Sequence, residues 1–218
     1  ERSRLLSGVG DVGGLLAVRA TVDEVDAFTA PYEGRIVIAS YSAPRVQVVA
    51  GSTADLVHLQ GFLVEEGVWC KRVDDVVPAH SPAVDPLVPV LREALAGLVP
   101  HPAQVPILST SRPKSDPVPA SLWSPTYWAE QARRPVRFTQ AVGGAASAVG
   151  DHPMVFVEIG PRALLSEHIA HTLAGVAAVA ITGDRRGPAH GIGRLYTLGV
   201  VPTGPTGRVH PHLTVPPG

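Results

Sequence analysis

Hydrophobic positions along this chain change their period several times, and each change marks a predicted element. Gly14 to Ala20 alternates weakly, as a half-buried strand does. Thr21 then stands where a helix cap belongs, with Asp23 and Glu24 in the turn that follows; the pattern predicts a helix from Val22 towards Ala30, ended by Pro31 and Gly34. Arg35 to Tyr41 and Val46 to Ala50 are β-branched runs parted by Ser42-Ala43-Pro44, a hairpin signal. Ser52 or Thr53 opens a second helix to Glu66, Gly67 closes it, and Val68 to Val73 reads as a fourth strand. The order β-α-β-β-α-β over about 60 residues is that of a ferredoxin-like unit.

Downstream, Val84, Leu87, Val88, Leu91, Leu95 and Leu98 recur at helical spacing, which buries one face of a helix. Val105 to Thr110 reads as a short apolar strand, followed by a polar, proline-bearing loop from Ser111 to Pro119. Trp123, Tyr127 and Trp128 lead into a helical stretch ending near Arg134-Pro135, and Thr139 to Val149 is another helix. Met154 to Ile159 reads as a fully buried strand, Pro161 to Ala174 as a helix with proline in its first turn, and Val176 to Thr182 as a last strand. Strands alternating with helices define an α/β chain with a parallel or mixed sheet covered on both faces. From Val201 onward five prolines, Pro202, Pro205, Pro211, Pro216 and Pro217, describe an extended linker.

Composition narrows the class of function. The 218 residues hold 18 basic and 19 acidic side chains for a net charge of −1, with no Lys/Arg block, which argues against nucleic acid or an anionic membrane as partner. Cys70 is the single cysteine, so no internal disulfide forms and a reducing, cytoplasmic setting is expected. No apolar stretch reaches the roughly 18 residues that span a bilayer, and Glu1-Arg2-Ser3-Arg4 has no apolar signal core behind it. The chain opens as if in the middle of a helix, and is expected to be a piece of a larger polypeptide.

His80 is the residue that reads most directly as chemistry. It sits in Val77-Pro78-Ala79-His80-Ser81-Pro82, between a β-like run and an amphipathic helix. An imidazole in such a loop can serve as general base for a serine nucleophile. Yet no Gly-x-Ser-x-Gly nucleophile elbow occurs in the chain, which is therefore expected to carry the base without the nucleophile. Ser81 is a natural cap for the helix that follows.

Six segments in order resemble the acyltransferase domain of polyketide synthases and the malonyl-CoA:acyl carrier protein transacylase of fatty acid synthesis. They are Arg2-Ser3-Arg4, Pro44 to Gly51, Gly67 to Pro82, Tyr127-Trp128 with Arg134-Pro135-Val136-Arg137-Phe138, Val157-Glu158-Ile159-Gly160-Pro161, and Gly183-Asp184-Arg185-Arg186. The resemblance covers residues 1 to about 200. It implies part of an α/β-hydrolase-like large subdomain carrying an inserted ferredoxin-like small subdomain, with the serine elbow upstream of Glu1. Residues 1–11 would end the nucleophile side, 12–77 form the small subdomain, 78–200 the rest of the large one, and 201–218 a linker.

The resemblance also implies roles. Arg2, with Arg4 two residues away as competitor, falls where the family holds the free carboxylate of a malonyl-type substrate, a task suited to a guanidinium fork. His80 falls on the catalytic histidine. The main chain at Gln131, four residues before Pro135, falls where the family orients that imidazole. Ser42 stands where the family usually has asparagine in the active-site network, and Ala79 removes bulk where the substrate's α-carbon is crowded. An acyl-CoA donor and an acyl carrier protein are the implied partners, with the upstream half of the domain and neighbouring synthase domains. No cofactor is implied beyond the carrier's phosphopantetheine, and no metal. The rival expectations are a catalytically inactive, structural or docking segment of a multidomain synthase, and an autonomous ferredoxin-like binding module.

Overall fold

A computed structural model describes residues 13–112, 122–182 and 187–200. The chain divides into two compact units, 1–148 and 149–218. Arg2, Arg4, the Gly183-Asp184-Arg185-Arg186 segment and the expected linker from 201 lie outside the described residues.

The first unit begins with β1 (Gly13–Val18), α1 (Val22–Thr29), β2 (Val37–Ala43), β3 (Val46–Ser52), α2 (Thr53–Glu65) and β4 (Cys70–Val76). Local chemistry accounts for each boundary. Thr21 caps α1 reciprocally: its Oγ1 accepts the Glu24 amide at 3.3 Å while its own amide donates to Glu24 Oε2 at 2.7 Å. Ser52 Oγ accepts the Asp55 amide at 3.1 Å to start α2, which ends at Gly67 with φ of 70°. The strands lie in the order β4-β1-β3-β2, with β1–β3, β1–β4 and β2–β3 all antiparallel. Leu16, Val18, Val25, Val49, Leu56, Leu59 and Leu63 form the core between the sheet and the two helices. Each stabilises the fold by about 1.5–3 kcal/mol through burial. The hairpin turn is Pro44-Arg45, not the expected Ser42-Ala43-Pro44, because β2 runs on to Ala43. The β1–β4 register shifts between Gly13 and Gly14, so that Gly14 pairs with Asp74 but Gly13 with Val76. Such a bulge bends the end of β4, from which the His80 loop departs.

The rest of this unit is a 3₁₀ turn (Pro82–Val84), α3 (Leu87–Ala94), α4 (Pro125–Gln131), β5 (Val136–Arg137) and α5 (Phe138–Val149). The expected helix through Leu98 is shorter, because Pro86 starts it late and the chain turns after Ala94, leaving Leu98 exposed. The expected strand at Val105–Thr110 does not form; Pro106 removes a ladder donor, and Val105 and Ile107 are exposed. Pattern alone did not predict β5, whose two residues add to the sheet by pairing in parallel with Ser40 and Tyr41 of β2. Val84, Leu91, Ala129 and Ala132 form a second buried cluster that joins α3 to α4 through small side chains.

The second unit contains β6 (Val155–Gly160), α6 (Ser166–Thr172), β7 (Ala177–Thr182) and α7 (Gly187–Thr197), a helix the pattern did not predict. β6 and β7 pair in parallel. β6 is not the fully buried strand expected: Val157 and Ile159 are exposed, and among the described residues β7 is its one ladder partner. α6 also begins at Ser166 instead of Pro161. The cause is Glu158, whose buried carboxylate gathers the helix's leading amides: Oε1 accepts Leu164 and Leu165 N–H at 2.8 and 2.9 Å, and Oε2 accepts Ser166 N–H at 2.8 Å and its hydroxyl at 2.7 Å. Burial pushes this carboxyl up, but the four hydrogen bonds outweigh it and hold the group below the ordinary glutamate range.

Candidate active site

His80 follows the bulged end of β4 and adopts a left-handed backbone with φ of 63°, a conformation L residues keep only when their surroundings enforce it. Two carbonyls just beyond α4 do so. The His80 amide donates to Ala132 O at 2.9 Å, and ring Nδ1 lies 2.7 Å from Arg134 O. A peptide carbonyl only accepts, so Nδ1 carries the hydrogen and the neutral ring keeps its basic lone pair on Nε2. The tautomer of this imidazole is thus set by main chain.

That carbonyl belongs to Arg134, not to Gln131. α4 ends at Gln131, and the next residues turn across the His80 loop with Ala132 buried beneath it, so the carbonyls that reach His80 come after the helix. Gln131 itself is half-buried, and its side-chain Oε1 has no hydrogen-bond partner among the described residues. Nothing in the structure accounts for that orphaned acceptor.

His80 lines an open cleft of about 430 Å³ whose other walls include Ile36, Ile38, Tyr41, Arg133 and Pro135. Arg133 Nε meets Asp85 Oδ1 at 2.5 Å, and the Arg137 guanidinium lies 5.1 Å from the centre of the Tyr41 ring, a cation–π distance. Thr139 Oγ1 donates to Tyr41 O at 3.1 Å, which ties α5 to the strand carrying that ring. Ser42, one residue on, does not line the cleft: it is buried, with its hydroxyl 2.9 Å from that of Ser40. Ala79 adjoins His80 but forms no part of the cleft wall; its amide donates to Val77 O at 2.7 Å. Of the residues expected from sequence, then, His80 alone lines this cleft, and Arg2 lies outside the described residues. Tyr41 and Arg133 escaped notice, although Arg133 immediately precedes a stretch that carries the family resemblance. Trp123, Tyr127 and Trp128 pack together with ring centres 4.9–5.6 Å apart, the two tryptophans stacked and Tyr127 edge-on to both. Among the described residues no group of His, Cys, Asp and Glu is arranged to hold a metal ion.

An imidazole locked with its base nitrogen at Nε2, on a mixed α/β scaffold, is the base component that hydrolases and acyltransferases share. The chain belongs to the acyl transferase domain family, whose model matches residues 1–191. Its relatives are the acyltransferase domains of polyketide synthases. A phenolphthiocerol/phthiocerol polyketide synthase of Mycobacterium tuberculosis is 33% identical over 172 residues, 79% of this chain and 9% of that protein. The solved acyltransferase domain of phenolphthiocerol/phthiocerol synthase A from Mycobacterium bovis superposes with a TM-score of 0.74 at 29% identity, over 82% of this chain and 69% of that one. The acyltransferase domain from the second module of the salinomycin polyketide synthase gives 0.78 at 28% identity, over 90% and 46%. A malonyl-CoA:acyl carrier protein transacylase from Xanthomonas oryzae gives 0.77 at 25% identity, over 90% and 62%. The chain therefore spans a small part of the curated synthases it matches.

Proposed function

We propose that this chain is the part of an acyltransferase domain that follows the nucleophile, and that the complete domain moves a malonyl-type acyl group from CoA to an acyl carrier protein through an acyl-serine ester. The observation that carries this is the His80 ring held by Nδ1 on the Arg134 carbonyl, within a chain of this family. In this reading Nε2 takes the proton from an upstream serine as its oxygen attacks the thioester carbonyl. The C–S bond then breaks, and the proton passes to the departing CoA sulfur. In the second half Nε2 deprotonates the phosphopantetheine thiol of the carrier, whose sulfur attacks the ester; the C–O bond to the serine breaks, Nε2 returns the proton to the serine oxygen, and the acyl group leaves as a thioester of the carrier. The upstream segment would supply the oxyanion-hole amides. Arg2 would hold the free carboxylate of the acyl group.

Architecture supports the same reading. The strand order β4-β1-β3-β2 with two helices on one face is what a ferredoxin-like subdomain inserted into an α/β-hydrolase-like one requires. The neighbouring synthase domains and the carrier are the partners this function needs, and it needs no cofactor of its own.

The test is to incubate the full-length polypeptide containing this chain with malonyl-CoA and map the adduct by peptide mass spectrometry. A malonyl ester on a serine upstream of Glu1 is expected, and His80→Ala should slow its formation by about 10³-fold or more. A wild-type acylation rate in His80→Ala, or no acylated serine at all, would refute the proposal.

A further inference from the structure

Two groups outside the cleft fix the loop that carries His80. Ser81 is buried, and its hydroxyl is used twice: Oγ donates to Pro78 O at 2.5 Å and accepts the Ala83 amide at 3.3 Å. The second bond is an ordinary cap at the head of the 3₁₀ turn. The first is not needed for capping. It reaches back over His80 and joins residues 78 and 81 across the left-handed residue between them.

The other group is Gly13, at the register shift where β4 bends. A Cβ on Gly13 would stand 2.6 Å from Gly51 O and 2.8 Å from Pro78 Cγ, closer than packed atoms approach. Only a hydrogen fits there, and the proline ring rests on it. The loop is thus held at Pro78 from two sides, by a buried hydroxyl bonded to its carbonyl and by a bare α-carbon beneath its ring. His80 is then the one residue of the turn whose backbone departs from the ordinary region, and its amide and ring both meet carbonyls beyond α4.

We infer that Ser81 and Gly13 are positioning residues for His80: together they force the left-handed turn that brings ring Nδ1 onto the Arg134 carbonyl. The consequence for catalysis rests on His80 being the base proposed above; the consequence for the ring itself does not. Misplacing a catalytic group by about 1 Å costs on the order of 10²-fold in rate, so both residues matter to turnover without touching substrate.

The experiment reads the ring and the reaction separately. Nitrogen-15 NMR of the complete acyltransferase domain labelled at histidine, with His80 assigned by its loss in His80→Ala, reports the tautomer. Acyl transfer by the full-length polypeptide reports turnover. Ser81→Ala is expected to convert a pure Nδ1–H signal into a mixture, and to lower kcat about 10- to 100-fold while KM for the acyl-CoA stays within about twofold. Ser81→Thr keeps a hydroxyl on a backbone already extended at φ −133°, and should restore both readouts. Gly13→Ala should repeat the Ser81→Ala signature from a different element.

Unchanged His80 shifts in Ser81→Ala, or a folded Ser81→Thr that behaves like Ser81→Ala, would overturn the inference. So would loss of cooperative unfolding in both Ser81→Ala and Gly13→Ala, since stability and not orientation would then be what these residues supply. If His80→Ala keeps wild-type turnover while Ser81→Ala still alters the tautomer, the base assignment fails and the positioning role stands.

Discussion

Leu16, Val49, Leu56 and Leu63 in the first unit have no solvent exposure, whereas Val157 and Ile159 on β6 of the second keep 42% and 81% of theirs. Both stretches are apolar in sequence, and the difference is in what covers them. The sheet β4-β1-β3-β2 has two helices on its inner face and an apolar interior closed by capped elements. Among the described residues the β6–β7 sheet is two strands wide, and such a sheet is marginal by itself. To the buried Ile169, Val179 and Leu195 the second unit adds a polar device: one carboxylate that collects four donors and thereby fixes where α6 begins. Hydrophobic burial holds the first region, whereas in the second a smaller buried set, Ile169, Val179 and Leu195, is joined by a charge-assisted hydrogen-bond clamp.

This contrast is open to direct test. The largest effect is expected from Leu56→Ala, which leaves a cavity in the closed core and should lower the stability of the first unit by about 3 kcal/mol in urea titration. A loss below about 1 kcal/mol would mean that the core is not the source of its order. Glu158→Gln should come next, at about 2 kcal/mol, because an amide replaces one accepting oxygen with a donor facing N–H groups. Hydrogen exchange over 155–172 should accelerate in that variant while exchange in β1 and β3 does not.

The same carboxylate sets a pH dependence. Its folded pKa is depressed, so its contribution is complete above the ordinary value of about 4.5 and is lost as pH falls from there through the folded value. Exchange in β6 and α6 should therefore rise on acidification within that window, and Glu158→Gln should flatten the response. An acid response identical in wild type and variant would assign it to some other group. Ile159→Thr should have the smallest effect, within about 0.5 kcal/mol, since the side chain is already in water. A cost comparable to Leu56→Ala would erase the distinction between the regions.

Legibility in the sequence follows the same division. Where order is local, pattern reasoning found it: the Thr21 cap, the start of α2 at Ser52 or Thr53, the glycine stop at Gly67 and the alternation of β1 are all properties of neighbouring residues. β5 was not legible because two residues carry no period, and its pairing with Ser40 and Tyr41 is made nearly a hundred positions away, |i−j| being 98 for the Thr139–Tyr41 bond beside it. The late start of α6 was hidden because Pro161 looks like a first-turn residue, while the carboxylate that decides the matter lies in the preceding strand. At the site, His80 stood out through its setting between strand and helix. Arg134 did not, because its part is played by a backbone atom, and Tyr41 and Arg133 join the cleft only through tertiary folding.

The Arg134 carbonyl has a further consequence for how this site ages under mutation. A base steadied by a carboxylate side chain can be disarmed by changing one codon, but every amino acid brings the same peptide oxygen to position 134. Genetic drift there is silent so long as the chain path persists, and variation among descendants at that position says nothing against the contact.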